Sequence, residues 1–392
     1  MSKRPIYLDY AATTPVDHRV LRMMLPYFSE KFGNSMSLHN LGREAKSALE
    51  QSRKEIAKII NAKPQEIVFT GSASESNNLV IKGIALTNKD RGRHIIISSI
   101  EHPCVMESSA FLEKHAGFTI TRLKVDKFGQ VNPADVVRAI TKETILVSIM
   151  HANNEIGTIE PIAKIGQICR DKGVLFHTDA SQTFGKLPID VNKMKIDLLT
   201  ASSHKIYGPK GAACLYIRSG TKIEPILHGG SQEFGLRAST TNIPAIVGFA
   251  KAAQICVKQM IKENKRLTFL RDKLIKGVLL RIPHSRLNGH PRQRLANNTN
   301  FSFDFVEGES IVLSLDALGI AASTGSACSS EKLEPSHVLL AIGLRPEQAH
   351  GSLRLTLGRG TTKKEIDYVL KALPKVIKNL RKISPFKPRK ND

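Results

Sequence analysis

Lys205 closes the run Ser202-Ser-His-Lys205 and is followed by the turn-forming Ile-Tyr-Gly-Pro-Lys-Gly211. A lysine amine placed this way can condense with an aldehyde to form an imine. Asp179 opens Asp179-Ala-Ser-Gln182 and could hold a proton on a ring nitrogen. The small, hydroxyl-rich run Gly71-Ser-Ala-Ser-Glu-Ser-Asn-Asn78 leads into a predicted helix, so it offers free N–H groups, hydroxyls and a helix dipole to a phosphate. Cys328 lies in Ser323-Thr-Gly-Ser-Ala-Cys328-Ser-Ser, and among the five scattered cysteines it alone is placed for exposure and reaction. Each feature has a plainer reading: an Asp–Lys salt bridge, Ser74 as a helix N-cap, a buried cysteine acting as a small apolar residue.

These groups must be positioned by the elements around them. Strand-like runs at 67–70, 94–98, 119–124, 144–150, 174–178 and 197–201 alternate with predicted helices at about 74–89 and 105–115 and from about 133 and 161. Such βα alternation predicts a mostly parallel sheet, and in open sheets of this kind ligands bind beyond the carboxyl ends of the strands. The polar runs after 67–70, 174–178 and 197–201 all fall there. Taken together, an imine-forming amine, a carboxylate for a pyridinium nitrogen and an anion cup are the parts that a pyridoxal-phosphate enzyme needs.

After Lys205 the pattern changes to a short strand at 212–218, a long Lys- and Glu-rich helix at about 243–281, and then strands at 300–304 and 352–357 with helices at 310–318 and after Thr362-Lys-Lys-Glu365, a capping box. The expected architecture is α/β: a large domain, 14–258, with a mostly parallel central sheet, and a smaller α+β domain, 1–13 and 259–392, carrying the Cys328 loop. The 392 residues, 41% apolar, exclude a disordered or repeat protein. Odd cysteine number without CxxC or Cys/His spacing argues against a disulfide framework or a zinc site. No signal core or spanning segment is present, so the expected location is cytoplasmic. The net charge of +23 is diffuse and lacks interleaved aromatics, which favours acidic partners over direct nucleic-acid binding.

The runs Tyr7-Leu-Asp-Tyr-Ala-Ala-Thr-Thr-Pro15, Phe32-Gly-Asn34, Glu101-His102, Asn153-Asn-Glu-Ile-Gly157, His177-Thr-Asp179, His204-Lys205-Ile-Tyr-Gly-Pro-Lys-Gly211 and Gly325-Ser-Ala-Cys328 resemble the cysteine desulfurases of the IscS/NifS type, with the long cysteine loop, across nearly the whole chain. The resemblance implies a fold-type I enzyme related to class V aminotransferases, with pyridoxal 5'-phosphate as cofactor. It implies that Lys205 forms the imine, that Asp179 holds the pyridinium proton and that His102 stacks on the ring. Ala73, Ser74, Ser202, Ser203 and His204 would cup the phosphate. Asn154 and Gln182 would bond the polar side of the ring. Thr240 would reach the phosphate of a neighbouring subunit, implying a homodimer. Arg354, assisted by Asn34, would clamp the substrate carboxylate, and Cys328 would attack the sulfur of L-cysteine, leaving alanine and a persulfide.

No intrinsic metal is implied, although a Cys328 persulfide could transiently ligate an iron-sulfur cluster. The implied acceptors are an iron-sulfur scaffold or a tRNA-thiolation enzyme. Two features depart from the family pattern: Asn34-Ser35 stands where Asn-Pro is usual, and the chain has a short basic tail after Ser384-Pro385-Phe386. The alternatives are a selenocysteine lyase or another class V aminotransferase-like enzyme, which would need no Cys328, and a non-catalytic sulfur-handling subunit, which would need a decayed lysine site.

Overall fold

The computed structural model describes residues 5–324 and 335–385. Its centre is a seven-stranded sheet ordered Ile67–Thr70, Ala213–Ile217, Leu198–Ser202, Leu175–Asp179, Thr144–Ser148, His94–Ser98, Thr119–Leu123. Pairing is parallel from Leu198–Ser202 to Thr119–Leu123. Strand Ala213–Ile217 runs antiparallel to both its neighbours. The reason is local: the chain returns from Ser202 through a short turn, with no crossover helix to restore the direction. Most of these strands are buried at every residue, as expected when helices cover both faces of a sheet.

The predicted strands lie within about two residues of the observed ones. The helix after Ile67–Thr70 begins at Ala73, and its N-cap is Ser72, whose side chain accepts from Glu75 N–H; Ser74 is therefore not the cap. The 20-residue helix Asn40–Ile59, which packs on helix Ile243–Arg281, has no counterpart in the sequence reading.

Helix Ile243–Arg281 runs 39 residues and contributes to two apolar clusters. Ile243 to Cys256 pack with the sheet and its helices. Leu267 to Val278 pack with a second group that includes Leu8, Phe301, Leu353 and Leu373. That second group surrounds an antiparallel sheet of Ser352–Thr356, Asn298–Phe303 and Ser285–Leu287. The final helix, Lys363–Ile383, opens with the expected capping box at Thr362 and Glu365.

The first strand of the large sheet, Ile67–Thr70, is fixed by a buried ion pair. Arg53 donates to both carboxylate oxygens of Glu233 at 2.8 Å and to the Ile67 carbonyl at 2.5 Å. Glu233 also accepts from Phe69 N–H at 2.7 Å. The pair joins helix Asn40–Ile59, the strand that delivers residues 71–78, and the segment leading to Thr240. Removing one member of such a pair leaves a buried, uncompensated charge. Glu233→Ala is expected to lower unfolding free energy by about 3–5 kcal/mol in urea or thermal denaturation; a loss below about 1 kcal/mol would show that the pair does not anchor this strand.

Candidate active site

Two adjacent strands of the large sheet, Leu175–Asp179 and Leu198–Ser202, end in polar segments identified from sequence, and the strand before His102, His94–Ser98, lies beyond one intervening strand. Asp179 is the last residue of strand Leu175–Asp179, and it pairs with Thr200 of the neighbouring strand Leu198–Ser202. That second strand runs directly into the 3-10 turn Ser203–Lys205. Helix Pro103–His115, whose N-cap is His102, follows strand His94–Ser98. Alternating side chains on a strand point to opposite faces, but at a strand end the following turn aims its residues outward, which is why the chemistry collects there.

Lys205 Nζ donates to the carbonyls of Ala11 and Ala12, both at 2.7 Å. Ala11 O also accepts from Gln182 Nε2 at 3.0 Å. The N-terminal segment therefore crosses the mouth of the site, and Thr14 ties it to the lysine turn by donating from both N and Oγ1 to His204 O. His204 Nδ1 lies 3.1 Å from Thr13 Oγ1. Burial, reinforced by the charges of Lys205, Lys210 and Lys186, pushes the His204 imidazole down to about 4, so it is neutral at physiological pH.

Asp179 is buried and makes no ion pair among the described residues. Its Oδ2 accepts from Asn77 Nδ2 at 2.7 Å and its Oδ1 from Ser181 N at 2.8 Å. The Asp–Lys salt bridge, the plainer reading of these two residues, is thus replaced by two neutral donors that keep the carboxylate in place. His102 Nδ1 accepts from Cys104 N–H at 3.2 Å, since a backbone N–H can only donate. The ring proton consequently sits on Nε2. Burial lowers the proton affinity of His102, with Lys205 and His337 acting in the same direction and Asp179 against them. Those influences also place Asp179 and Lys205 each within electrostatic reach of His102.

Asn77 and Cys104 were not singled out in the sequence. Asn77 Nδ2 also reaches Cys104 Sγ at 3.1 Å, and that sulfur lies 3.0 Å from His102 Nδ1. Burial, then Asp179, pushes the Cys104 thiol up to about 12, so it is a protonated bridge rather than a nucleophile. The available signal was positional: Asn77 lies one turn along the helix that follows strand Ile67–Thr70, and Cys104 immediately follows Pro103, the first residue of its helix.

The remaining residues fall as follows. Ala73 and the exposed Ser74 occupy the first turn of helix Ala73–Asn88, where backbone N–H groups lack intrahelical partners. Ser202 and Ser203 are buried, and Ser203 Oγ is without a partner, as is Gln182 Oε1. Arg354, on strand Ser352–Thr356, is buried and pairs with Asp9 Oδ1 at 2.9 Å while donating to Asn154 O at 3.2 Å. Asn154 enters the site through that carbonyl. Asn34 is exposed and caps its own loop, accepting from Met36 N–H, with no bond to Arg354. Thr240 is exposed. Cys328 lies outside the described residues. Among the described residues no group of three or more His, Cys, Asp or Glu side chains has the arrangement to hold a metal ion.

This donor set fits pyridoxal 5'-phosphate. An amine, a fixed carboxylate, a neutral imidazole, a helix N-terminus and two buried polar atoms with open valences, Ser203 Oγ and Gln182 Oε1, converge on one place.

The profile of the class-V aminotransferase family matches residues 6–369, and the chain belongs to that family of pyridoxal-phosphate enzymes. The cysteine desulfurase IscS of Dictyoglomus turgidum is 54% identical, covering 98% of each chain. That of Methanosarcina thermophila is 52% identical, covering 98% of this chain and 95% of its own. A NifS-like protein superposes with a TM-score of 0.90 at 37% identity, over 96% of this chain and all of the other. A structure described as SspA in complex with cysteine superposes with a TM-score of 0.81 at 38% identity, over 90% and 98%. Within the class-V family, the chain falls in the cysteine desulfurase group.

Glu101, beside His102, is fully buried and accepts from Ser98 Oγ at 2.6 Å and Met150 N at 2.8 Å. Burial raises its carboxyl to about 8. The folded state therefore keeps a proton that the unfolded chain releases near its ordinary value, so stability declines as pH rises from about 5 towards 8. Glu101→Gln keeps an acceptor oxygen and is expected to flatten this decline by about 1.4 kcal/mol per pH unit. Urea denaturation from pH 5 to 8 reads it; parallel slopes for variant and parent would exclude a protonated Glu101.

Proposed function

We propose that this chain is a pyridoxal-phosphate-dependent cysteine desulfurase that takes sulfur from L-cysteine, releases L-alanine and carries the sulfur as a persulfide on Cys328. The observation that carries the reading is that Asp179 and Lys205 follow adjacent strands and both act electrostatically on His102, in a chain 54% identical to a desulfurase over 98% of its length.

Lys205 would hold the cofactor covalently through Nζ. Asp179, oriented by Asn77 and Ser181, would hold the proton on the ring nitrogen. Ala73, Ser74, Ser202, Ser203 and His204 would receive the phosphate, and Gln182 and Asn154 the polar edge of the ring. When bound, the cofactor supplies an electron sink that makes the substrate α-proton removable and the Cβ–S bond breakable.

The chain's own groups perform the rest. Arg354, with Asn34 assisting, orients the substrate carboxylate, a task suited to its planar donor fork. The Lys205 amine, when not holding the cofactor, would take the α-proton and could return it. The neutral His102 can exchange a proton at Nε2, the nitrogen left free by its cap interaction. The Cys328 thiolate attacks the substrate sulfur, so the Cβ–S bond breaks as an S–S bond forms. Cysteine and thiol become alanine and persulfide with no outside oxidant. The small residues around Cys328 suit a loop that meets the cofactor and then presents sulfur outward.

The working unit is proposed to be a homodimer, with Thr240 completing the neighbouring phosphate site. Leu21, Met23, Leu25, Phe28, Phe32 and Met36 leave a run of exposed apolar side chains, a surface suited to a second copy. The persulfide is proposed to pass to an iron-sulfur scaffold or a tRNA-thiolation enzyme, and the +23 charge favours an acidic acceptor. Compartment is read as cytoplasmic; no helix among the described residues is long and apolar enough to cross a membrane.

Purified protein is expected to be yellow and to form alanine and sulfide from cysteine plus a thiol reductant. Cys328→Ala should keep the colour and lose at least about 100-fold in turnover, whereas Lys205→Ala should lose the lysine-bound absorbance. Unchanged turnover in Cys328→Ala would remove that residue from the mechanism. Sedimentation should give twice the chain mass; a monomer retaining full activity would exclude a shared phosphate site.

A further inference from the structure

Asn77 and Cys104 stand between the two groups proposed to meet the cofactor ring, Asp179 and His102. Asn77 is fully buried in helix Ala73–Asn88, and Cys104 lies in the first turn of helix Pro103–His115. Their contacts have one consistent direction. Asp179 Oδ2 lies 2.7 Å from the Asn77 amide, and turning that amide over would set its oxygen against the carboxyl oxygen, so the facing atom is Nδ2. This nitrogen carries two hydrogens and can only donate. Its second contact, Cys104 Sγ at 3.1 Å, therefore makes the sulfur an acceptor.

The thiol keeps its own hydrogen, since burial and then Asp179 push it up to about 12, and that hydrogen is free to point at His102 Nδ1, 3.0 Å away. The Ser74 hydroxyl bonds the same sulfur. Because Nδ1 also receives the Cys104 N–H at 3.2 Å, both groups that reach it give it a hydrogen. Asn77 Oδ1 has no partner among the described residues although the side chain is fully buried. An unpaired buried oxygen is costly, so the place of this amide is set by its two donations.

We propose that Asn77 and Cys104 are positioning residues that link Asp179 to His102 through one directed chain of hydrogen bonds, holding the imidazole proton on Nε2, the nitrogen left to meet the cofactor. The inference rests on the reading of Asp179 and His102 as ring-contacting groups. In such a chain each bond polarises the next. Placing a proton on Nδ1 would reverse the last link and leave the Cys104 N–H and the thiol hydrogen without their acceptor.

The groups that act on His102 are Asp179, Lys205 and His337, and on Cys104 they are Asp179 and Glu101. For His102, burial is the largest influence and favours the neutral ring; Lys205 and His337 act with it, and Asp179 alone favours the imidazolium. The chain adds to the neutral side, because its hydrogen bonds to Nδ1 exist only when that nitrogen carries no proton.

Nitrogen-15 NMR of the full chain with labelled histidines reads both the tautomer and the titration of His102, whose signals are identified by their loss in His102→Gln. The parent at neutral pH is expected to show a proton on Nε2 and a bare Nδ1; a proton on Nδ1 overturns the proposal. Cys104→Ala removes the thiol donor and is expected to raise the His102 midpoint by about one pH unit. Cys104→Ser can still accept from Asn77 and donate to Nδ1, so it is expected to keep the parent's midpoint, a rescue that a merely space-filling cysteine would not require.

Asn77→Ala is expected to shift the midpoint in the same direction, and the double variant no further than Cys104→Ala alone, because the two residues act in series. An unchanged midpoint in Cys104→Ala, or shifts that add in the double variant, overturns the chain. Adding pyridoxal 5'-phosphate to the parent is expected to move the His102 ring signals. If they stay in place, the reading of His102 as a cofactor contact fails, an outcome distinct from failure of the chain.

Discussion

The site depends on one constraint, that residues 7–17 must stay threaded between the two apolar clusters. Leu8 belongs to the smaller cluster, where its N–H donates to Ala321 O and its carbonyl accepts from Thr356 N–H. Three residues later the same strand of chain gives Ala11 O to Lys205 and Gln182, and then Thr14 binds His204 and Tyr207. Asp9 pairs with Arg354 and Asp17 with Arg359. One extended segment thus supplies acceptors to Lys205, Gln182 and Arg354, the residues proposed to hold the cofactor, its ring and the substrate carboxylate. Displacing it would leave several buried donors unsatisfied at once, and such groups are costly in a low-dielectric interior.

Unlike Asp9 and Asp17, the titratable groups beside the strap are held by burial and neutral partners. Asp179 has neutral donors on both oxygens. His102 and His204 are held neutral by burial and by nearby cations. Glu101 is held protonated. A site whose lysine and carboxylate were bonded to each other would have spent both charges before a cofactor arrived. The separation of Asp179 from Lys205 on adjacent strand ends, each with its own partners, leaves both available.

Much of this was legible from sequence because it rests on local patterns. The strands after which polar runs occur could be placed from their apolar, β-branched composition, and the rule that ligands gather beyond strand ends then selected Asp179, Lys205 and the 71–78 run. Helix Lys363–Ile383 was announced by its capping box. The one-position error at the start of helix Ala73–Asn88 has a local cause too, since Ser72, Ser74 and Ser76 are all competent caps and only the backbone geometry chooses Ser72. The antiparallel direction of Ala213–Ile217 was not legible, because a turn without a helix can lead to a hairpin partner or to a different sheet.

By itself the sequence determined which groups are on offer: a lysine suited to imine formation, a carboxylate and a hydroxyl-rich run, each found by residue type and by its position after a predicted strand, and a cysteine among small polar residues. Only the tertiary structure decided which groups hold them. The carbonyls of Ala11 and Ala12 carry no side-chain signal, and Asn77 and Cys104 become relevant only when helix residue Asn77 and strand-end residue Asp179, 102 positions apart in the chain, are brought within 2.7 Å. Residue type fixes what a group can do, whereas burial, partners and charge state depend on long-range packing that no local window of sequence contains.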